Sequence, residues 1–154
     1  MSAGRLRVLF LCTGNSARSQ MAEAVLKHLT QGAVNVVSAG SRPKAEIHPL
    51  AREAVRKILG IEMAGQRPKP MEGFLEDRFD YIITVCDRAA EVCPTFPGAE
   101  MIRWSLPDPA EAGGGEDERR RAFENSAKDL IQRIRLWLSL PGVRARIPEG
   151  AGDA

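Results

Sequence analysis

Cysteine, histidine and tyrosine are scarce in this 154-residue chain, with three, two and one respectively. That scarcity argues against a metal centre. The only close cysteine pair, Cys86 and Cys93, is a Cys-x6-Cys with just His28 and His48 elsewhere, poor spacing for zinc. Three cysteines do not make a disulfide scaffold either; in a reducing compartment such thiols are catalytic, redox-active or simply buried. Charge of one sign is also lacking. A net charge of +2 carries no footprint for nucleic acid or a membrane surface. The one dense basic run, Arg119 to Arg121, follows Glu116, Asp117 and Glu118 and reads as a solvated face. No apolar run approaches the roughly 18 residues of a membrane span, and Val8 to Leu11 is too short for an export signal. These absences lead us to expect a cytoplasmic protein, read as a monomer, with no nucleic-acid or membrane partner.

What is present is an alternation of strand and helix patterns. Arg5–Leu11 reads as a buried parallel strand, Val34–Ser38 as a second, Phe79–Val85 as a third and Met101–Trp104 as a short fourth. Helical spacing runs from a start near Ser16 to Ser19 as far as about Thr30, from His48-Pro49 to Leu59 with Gly60 as its stop, and from about Glu118 to Leu140, where Pro141 ends it. Met71–Arg78 reads as a short helix, and 107–118, with two prolines and three consecutive glycines, as a loop. The pattern predicts an α/β fold: three layers, helix–sheet–helix, around a four-stranded parallel sheet. One domain over 1–145 is expected, with 146–154 a flexible tail. Ligands of such sheets sit at the carboxyl ends of the strands. Cys12 follows the first strand, Cys86 the third, and Asp108 lies just past the fourth, so one edge collects all three.

Cys12-Thr13-Gly14-Asn15-Ser16-Ala17-Arg18 is a Cys-x5-Arg loop between a strand and a helix. Its small residues let successive backbone N–H groups point inward and, with the helix N-terminus, form an anion nest. Arg18 can grip two oxygens as a planar fork. The same positive field favours the attacking thiolate of Cys12, to which Ser19 can add a hydroxyl hydrogen bond. The absence of a Gly-Lys-Ser/Thr sequence excludes a nucleotide P-loop. Asp108, between Pro107 and Pro109, is either a turn-forming residue or a general acid held over the oxyanion. Cys86 and Cys93 are buried fillers, a poor zinc pair or redox partners of Cys12. His28 reads as a surface residue, His48 as a helix-start residue, and Trp104 and Trp137 as core.

CTGNSARSQMAE (12–23) resembles the signature of thioredoxin-coupled arsenate reductases, which share the low-molecular-weight protein tyrosine phosphatase fold. The likeness extends through VVSAGS (36–41), HPLA (48–51), KILGIE (57–62) and WSLPDPA (104–110). Gln20 is similar to the reductase branch, since the phosphatase branch usually has proline there. The phosphatase branch also places tyrosines after its Asp-Pro, where this chain has Ala110-Glu111. Some members have a cysteine where Ala17 stands.

The resemblance implies that Asp108 is the acid and that Cys12, Cys86 and Cys93 form a relay reducing arsenate to arsenite, with thioredoxin restoring the thiols. Glutaredoxin or a small thiol is the alternative reductant. Phosphate or sulfate would bind as arsenate analogues. It also implies a potassium ion near Asn15, Glu23 and Ser38, with Glu62 standing where an aspartate is usual. Two other readings are a phosphomonoester phosphatase working through a phosphocysteine, and a non-enzymatic oxyanion- or arsenite-binding module. DRAAEV (87–92) has good helix formers; a helix there would hold Cys86 and Cys93 roughly 10 Å apart, beyond the about 7 Å a disulfide tolerates. Oxidation is therefore expected to unwind it.

Overall fold

A computed structural model describes residues 4–148. The expected tail beyond Pro148 lies outside the described residues; within them, Arg146 pairs with Asp80 at 3.1 Å and Ile147 packs against the core.

The strands are β1 (Arg7–Cys12), β2 (Asn35–Gly40), β3 (Tyr81–Thr84) and β4 (Glu100–Arg103), and the helices α1 (Arg18–Thr30), α2 (Pro49–Leu59), α3 (Asp87–Val92), α4 (Glu116–Leu138) and α5 (Pro141–Arg144). Short 3-10 turns cover Met71–Phe74 and Pro109–Glu111. The sheet order is β2-β1-β3-β4 and every pairing is parallel, with Leu9 opposite both Val37 and Ile82. β1 is central, which is why it reads as an unbroken apolar run: Val8, Leu9, Phe10 and Leu11 are at most 1% exposed. The chain leaves β1 toward β2 on one side and returns to β3 on the other. That reversal opens a crevice at the carboxyl ends of β1 and β3, where Cys12 and Cys86 stand.

Local chemistry sets the helix ends. α2 is capped by His48, whose Nδ1 accepts from the Leu50 amide at 3.1 Å, has Pro49 in its first turn and stops at Gly60 (φ +69°). α4 carries Glu116, Asp117 and Glu118 in its first turn, matching the helix dipole, and lays Phe123, Leu130 and Ile134 against α1 and α2. Several boundaries depart from expectation. Phe79 precedes β3 because its ring joins Phe74 and Phe96 in an aromatic cluster. Pro141 stops α4 only to open α5, as proline suits a first helical turn. α4 begins two residues before Glu118, inside the expected loop. Trp137 is core, while Trp104 is half-buried against Phe10. Among the described residues no helix is long and apolar enough to cross a membrane.

Candidate active site

The loop from Cys12 to Arg18 is turned inside out relative to an ordinary turn. Its carbonyls are held from the outer rim: Cys12 O by the Ser41 amide (3.2 Å), Thr13 O by Arg42 (2.9 Å), Gly14 O by Lys44 (2.9 Å) and Ser16 O by His48 (2.8 Å). Asn15 O accepts from Gln20 Nε2 at 3.1 Å. With the acceptors spent outward, the Gly14, Ser16 and Ala17 amides have no protein acceptor among the described residues, and α1 has no side-chain cap. These donors, with the first-turn amides of α1, are the kind of unpaired N–H groups that an anion satisfies. Asn15 takes the left-handed conformation that lets the loop close (φ +48°).

Gly40 shows how tightly the rim fits. A Cβ there would lie 2.5 Å from Thr13 O and 3.0 Å from Asn15 Cβ. Gly40→Ala should therefore displace the loop, lowering kcat/KM by about a hundredfold, the cost of misplacing reacting groups by an ångström. Overpacking should lower stability by about 1–3 kcal/mol. Steady-state kinetics and a thermal melt check both.

Cys12 is 2% exposed. Its Sγ lies 3.0 Å from Ser19 Oγ and accepts from the Asn15 amide at 3.3 Å. The proton inventory sets the direction of the serine bond. Asn15 Nδ2 donates both its protons, to Ser19 Oγ (2.7 Å) and Ser38 Oγ (3.0 Å), so the Ser19 hydroxyl proton is left for the sulfur. Asn15 Oδ1 accepts from Gln20 Nε2 (3.0 Å) and the Lys69 amide (2.9 Å). Gln20, 0% exposed, also donates to Arg67 O and accepts from Gln66 Nε2 at 2.8 Å. In the sequence Gln20 is legible only as a mark of kinship, and Gln66 and Lys69 not at all. An uncharged amide in the first turn after the loop, apt to bridge to loop backbone, was the available signal.

Arg18 is fixed by Nη1 donating to Leu106 O (2.8 Å), with Nη2 at 3.7 Å from Asp108 Oδ2. Its Nε is buried with no protein acceptor. A buried guanidinium N–H without a partner is costly, and an oxyanion in the nest would satisfy it. Asp108 Oδ1 accepts from the Ala110 amide at 3.0 Å, so the carboxyl both caps a turn and faces the guanidinium. The turn-forming reading of this residue is met by that bond. His48 lies beside the loop, stacked on Phe123 at 4.5 Å. Burial pushes its imidazole below the ordinary value, and Lys44 adds to this. It serves as the cap of α2, as expected.

The second thiol sits at the lip of the loop. Cys86 Sγ is 3.4 Å from Thr13 Oγ1, and Cys86 is 5% exposed. It also caps α3, accepting from the Ala89 amide at 3.4 Å. Cys93 is at the other end of α3, half-buried, its thiol donating to Pro94 O at 3.4 Å; burial pushes this thiol up. All three cysteines are free. The four residues expected around potassium do not come together. Asn15, Ser38 and Glu23 form one chain, but Glu62 is exposed and held by Arg56 through two bonds of 2.6 and 2.8 Å. Among the described residues no His/Cys/Asp/Glu cluster could hold a metal.

This geometry has relatives. The chain is 36% identical over 131 residues to an arsenate reductase of Halalkalibacterium halodurans, covering 84% of this chain and 93% of that one. It is 36% identical over 129 residues to a glutaredoxin arsenate reductase of Synechocystis sp., covering 83% and 95%. Its structure resembles an arsenate reductase in the phosphate binding state (TM-score 0.74, 28% identity, 87% and 97% covered). It also resembles the thioredoxin-dependent arsenate reductase of Corynebacterium glutamicum (TM-score 0.65, 33% identity, 89% and 65% covered). Residues 7–140 match the model of the low molecular weight phosphotyrosine protein phosphatase family, and the chain belongs to that family.

Proposed function

We propose that this protein reduces arsenate to arsenite as a single catalytic domain in the reducing cytoplasm, using Cys12, Cys86 and Cys93 in turn with thioredoxin as electron donor. The observation that carries this reading is Cys86 at the lip of the oxyanion loop, 3.4 Å from Thr13. A phosphatase releases its phosphocysteine with water and has no use for a thiol there.

Arsenate enters the nest, gripped by Arg18 and the loop amides. Cys12 Sγ attacks arsenic and a water molecule leaves, its oxygen protonated by Asp108. Cys86 Sγ then attacks Cys12 Sγ. The sulfur–arsenic bond breaks with its electron pair staying on arsenic, so As(V) becomes As(III) and a Cys12–Cys86 disulfide forms. Cys93 attacks Cys86, Cys12 leaves as thiolate, and the Cys86–Cys93 disulfide takes two electrons from thioredoxin.

α3 sets the order of these events. As the N-cap and C-cap of a six-residue helix, Cys86 and Cys93 are held roughly 10 Å apart, whereas a disulfide needs about 7 Å or less between Cα atoms. Once Cys86 is bonded to Cys12 it is a poorer cap for Ala89, which loosens the helix that keeps Cys93 away. Cys93 stays a half-buried thiol until then, and leaving that environment frees it to ionise. The far end is pinned by Phe96, 4% exposed, whose ring meets Phe79 edge-on, so movement is confined to 87–95. Oxidation should abolish amide-exchange protection at 89–92 while leaving β3 protected; unchanged exchange across this segment would refute the unwinding.

The reading is tested by arsenite release with thioredoxin, thioredoxin reductase and NADPH, against the same assay with glutathione and glutaredoxin. We expect sustained turnover in the first. Turnover only in the second would reassign the reductant, and arsenite from neither would refute the reductase reading.

A further inference from the structure

The network behind Cys12 ends on a buried carboxylate, and what neutralises that carboxylate decides what the loop needs to stay in shape. Glu23 is 4% exposed. Its Oε1 accepts from the Ser38 hydroxyl at 2.7 Å, and its Oε2 is 2.6 Å from Lys27 Nζ, one turn further along α1. A glutamate four residues before a lysine is the favourable helix orientation. The Lys27 ammonium is itself half-exposed and reaches inward to a carboxylate that is not. A second lysine converges from the 61–70 loop. Lys69 is half-buried, its amide donating to Asn15 Oδ1 and its Nζ to Arg67 O at 2.8 Å. Burial pushes the Lys69 ammonium below the ordinary lysine range and the charge of Glu23 draws it back up.

A potassium ion needs several oxygen lone pairs aimed at one point. Here both Glu23 oxygens have donors, Asn15 Oδ1 has two, and Ser38 Oγ accepts from Asn15 and gives its proton to Glu23. The Lys27 ammonium adjoins the set, and Lys69 joins it through its backbone amide. The donor set does not fit the ion that the resemblance implies.

We propose that the ammonium of Lys27, backed by Lys69, is the built-in cation of this loop, acting through Glu23, Ser38, Asn15 and Ser19 to position Cys12, and that the protein works independently of potassium. The direction of every bond follows from that charge. Glu23 accepts at both oxygens, from the ammonium at Oε2 and from the Ser38 hydroxyl at Oε1. Asn15 can then give one amide proton to Ser38 and the other to Ser19, and the Ser19 proton is left for Cys12. Lys27 and Lys69 are thus positioning residues, touching neither substrate nor the reacting sulfur. The proposal rests on Cys12 as the nucleophile but not on arsenate as its substrate.

The test uses no arsenate. Iodoacetamide alkylation of Cys12, followed by peptide mass mapping at one pH, is measured in choline, potassium and methylammonium chloride at equal ionic strength, with thermal midpoints in the same buffers. The wild-type rate and midpoint should be the same in all three salts. The Lys27→Met/Lys69→Met variant should react about tenfold more slowly in choline, the worth of one hydrogen bond to a charged group, and recover in potassium or methylammonium. The Lys27→Arg/Lys69→Arg variant should keep the wild-type rate. Either that recovery or retention by the arginine variant alone supports the proposal. Three results overturn it: a wild-type rate or midpoint raised by potassium alone; a methionine variant as fast as wild type in choline; or a loss that no cation restores and that arginine shares.

Discussion

Cys93→Ser should yield one arsenite per protein molecule and then stop. The nest, Arg18 and Cys86 are untouched, so arsenic is reduced once and the Cys12–Cys86 disulfide forms. A serine hydroxyl cannot attack a disulfide at neutral pH, and the Cys12–Cys86 bond remains buried at the loop. Steady-state turnover with thioredoxin should fall to about 1% of wild type or less, the scale on which removing a catalytic nucleophile acts. Hydrolysis of an aryl phosphate, which uses only the loop and Asp108, should be unaffected. Arsenite counted against protein, with the Cys12–Cys86 bond identified by mass, checks the first claim. Continued turnover would show that Cys93 is the helix filler its position at the end of α3 also allows.

Asp108→Asn should slow the first chemical step by about 10²–10⁴-fold, the usual worth of a positioned acid. An asparagine side chain can still accept from the Ala110 amide, as Asp108 Oδ1 does at 3.0 Å, so the turn survives and the proton is lost. Arg18 stands 3.7 Å from this carboxyl. In the proposed step the leaving oxygen takes its proton from Asp108. Arsenate reduction and aryl phosphate hydrolysis should decline together, with KM changed far less than kcat. A loss below about tenfold would leave Asp108 only its turn-capping role.

The parts legible in the sequence were those carried by local pattern. Val8 to Leu11 announces a strand buried on both faces, and Cys12, Gly14 and Arg18 announce a nest, because backbone conformation and residue type suffice to make one. Cys86 and Asp108 could be placed at the same edge because they follow strands of a parallel sheet. What stayed hidden depends on distant segments. Nothing near residue 12 says that Ser41, Arg42, Lys44 and His48 hold the loop carbonyls outward, since that rim is assembled by the chain leaving β2. The absence of Glu62 from the chain of Asn15, Ser38 and Glu23 has the same cause. Glu62 lies just past the end of α2, but the turn carries it to Arg56. Lys69, seven residues later, is brought to Asn15 through its backbone amide, a contact that side-chain identity does not advertise. Pro141 shows a smaller ambiguity, because a proline that ends one helix is equally suited to begin the next.

The most direct measurement is a single turnover without external reductant. Fully reduced protein is mixed with excess arsenate, and arsenite, free thiols and disulfide connectivity are determined on the same sample. The relay predicts one arsenite per molecule, one remaining thiol on Cys12, and a Cys86–Cys93 disulfide. Three intact thiols and no arsenite would contradict it.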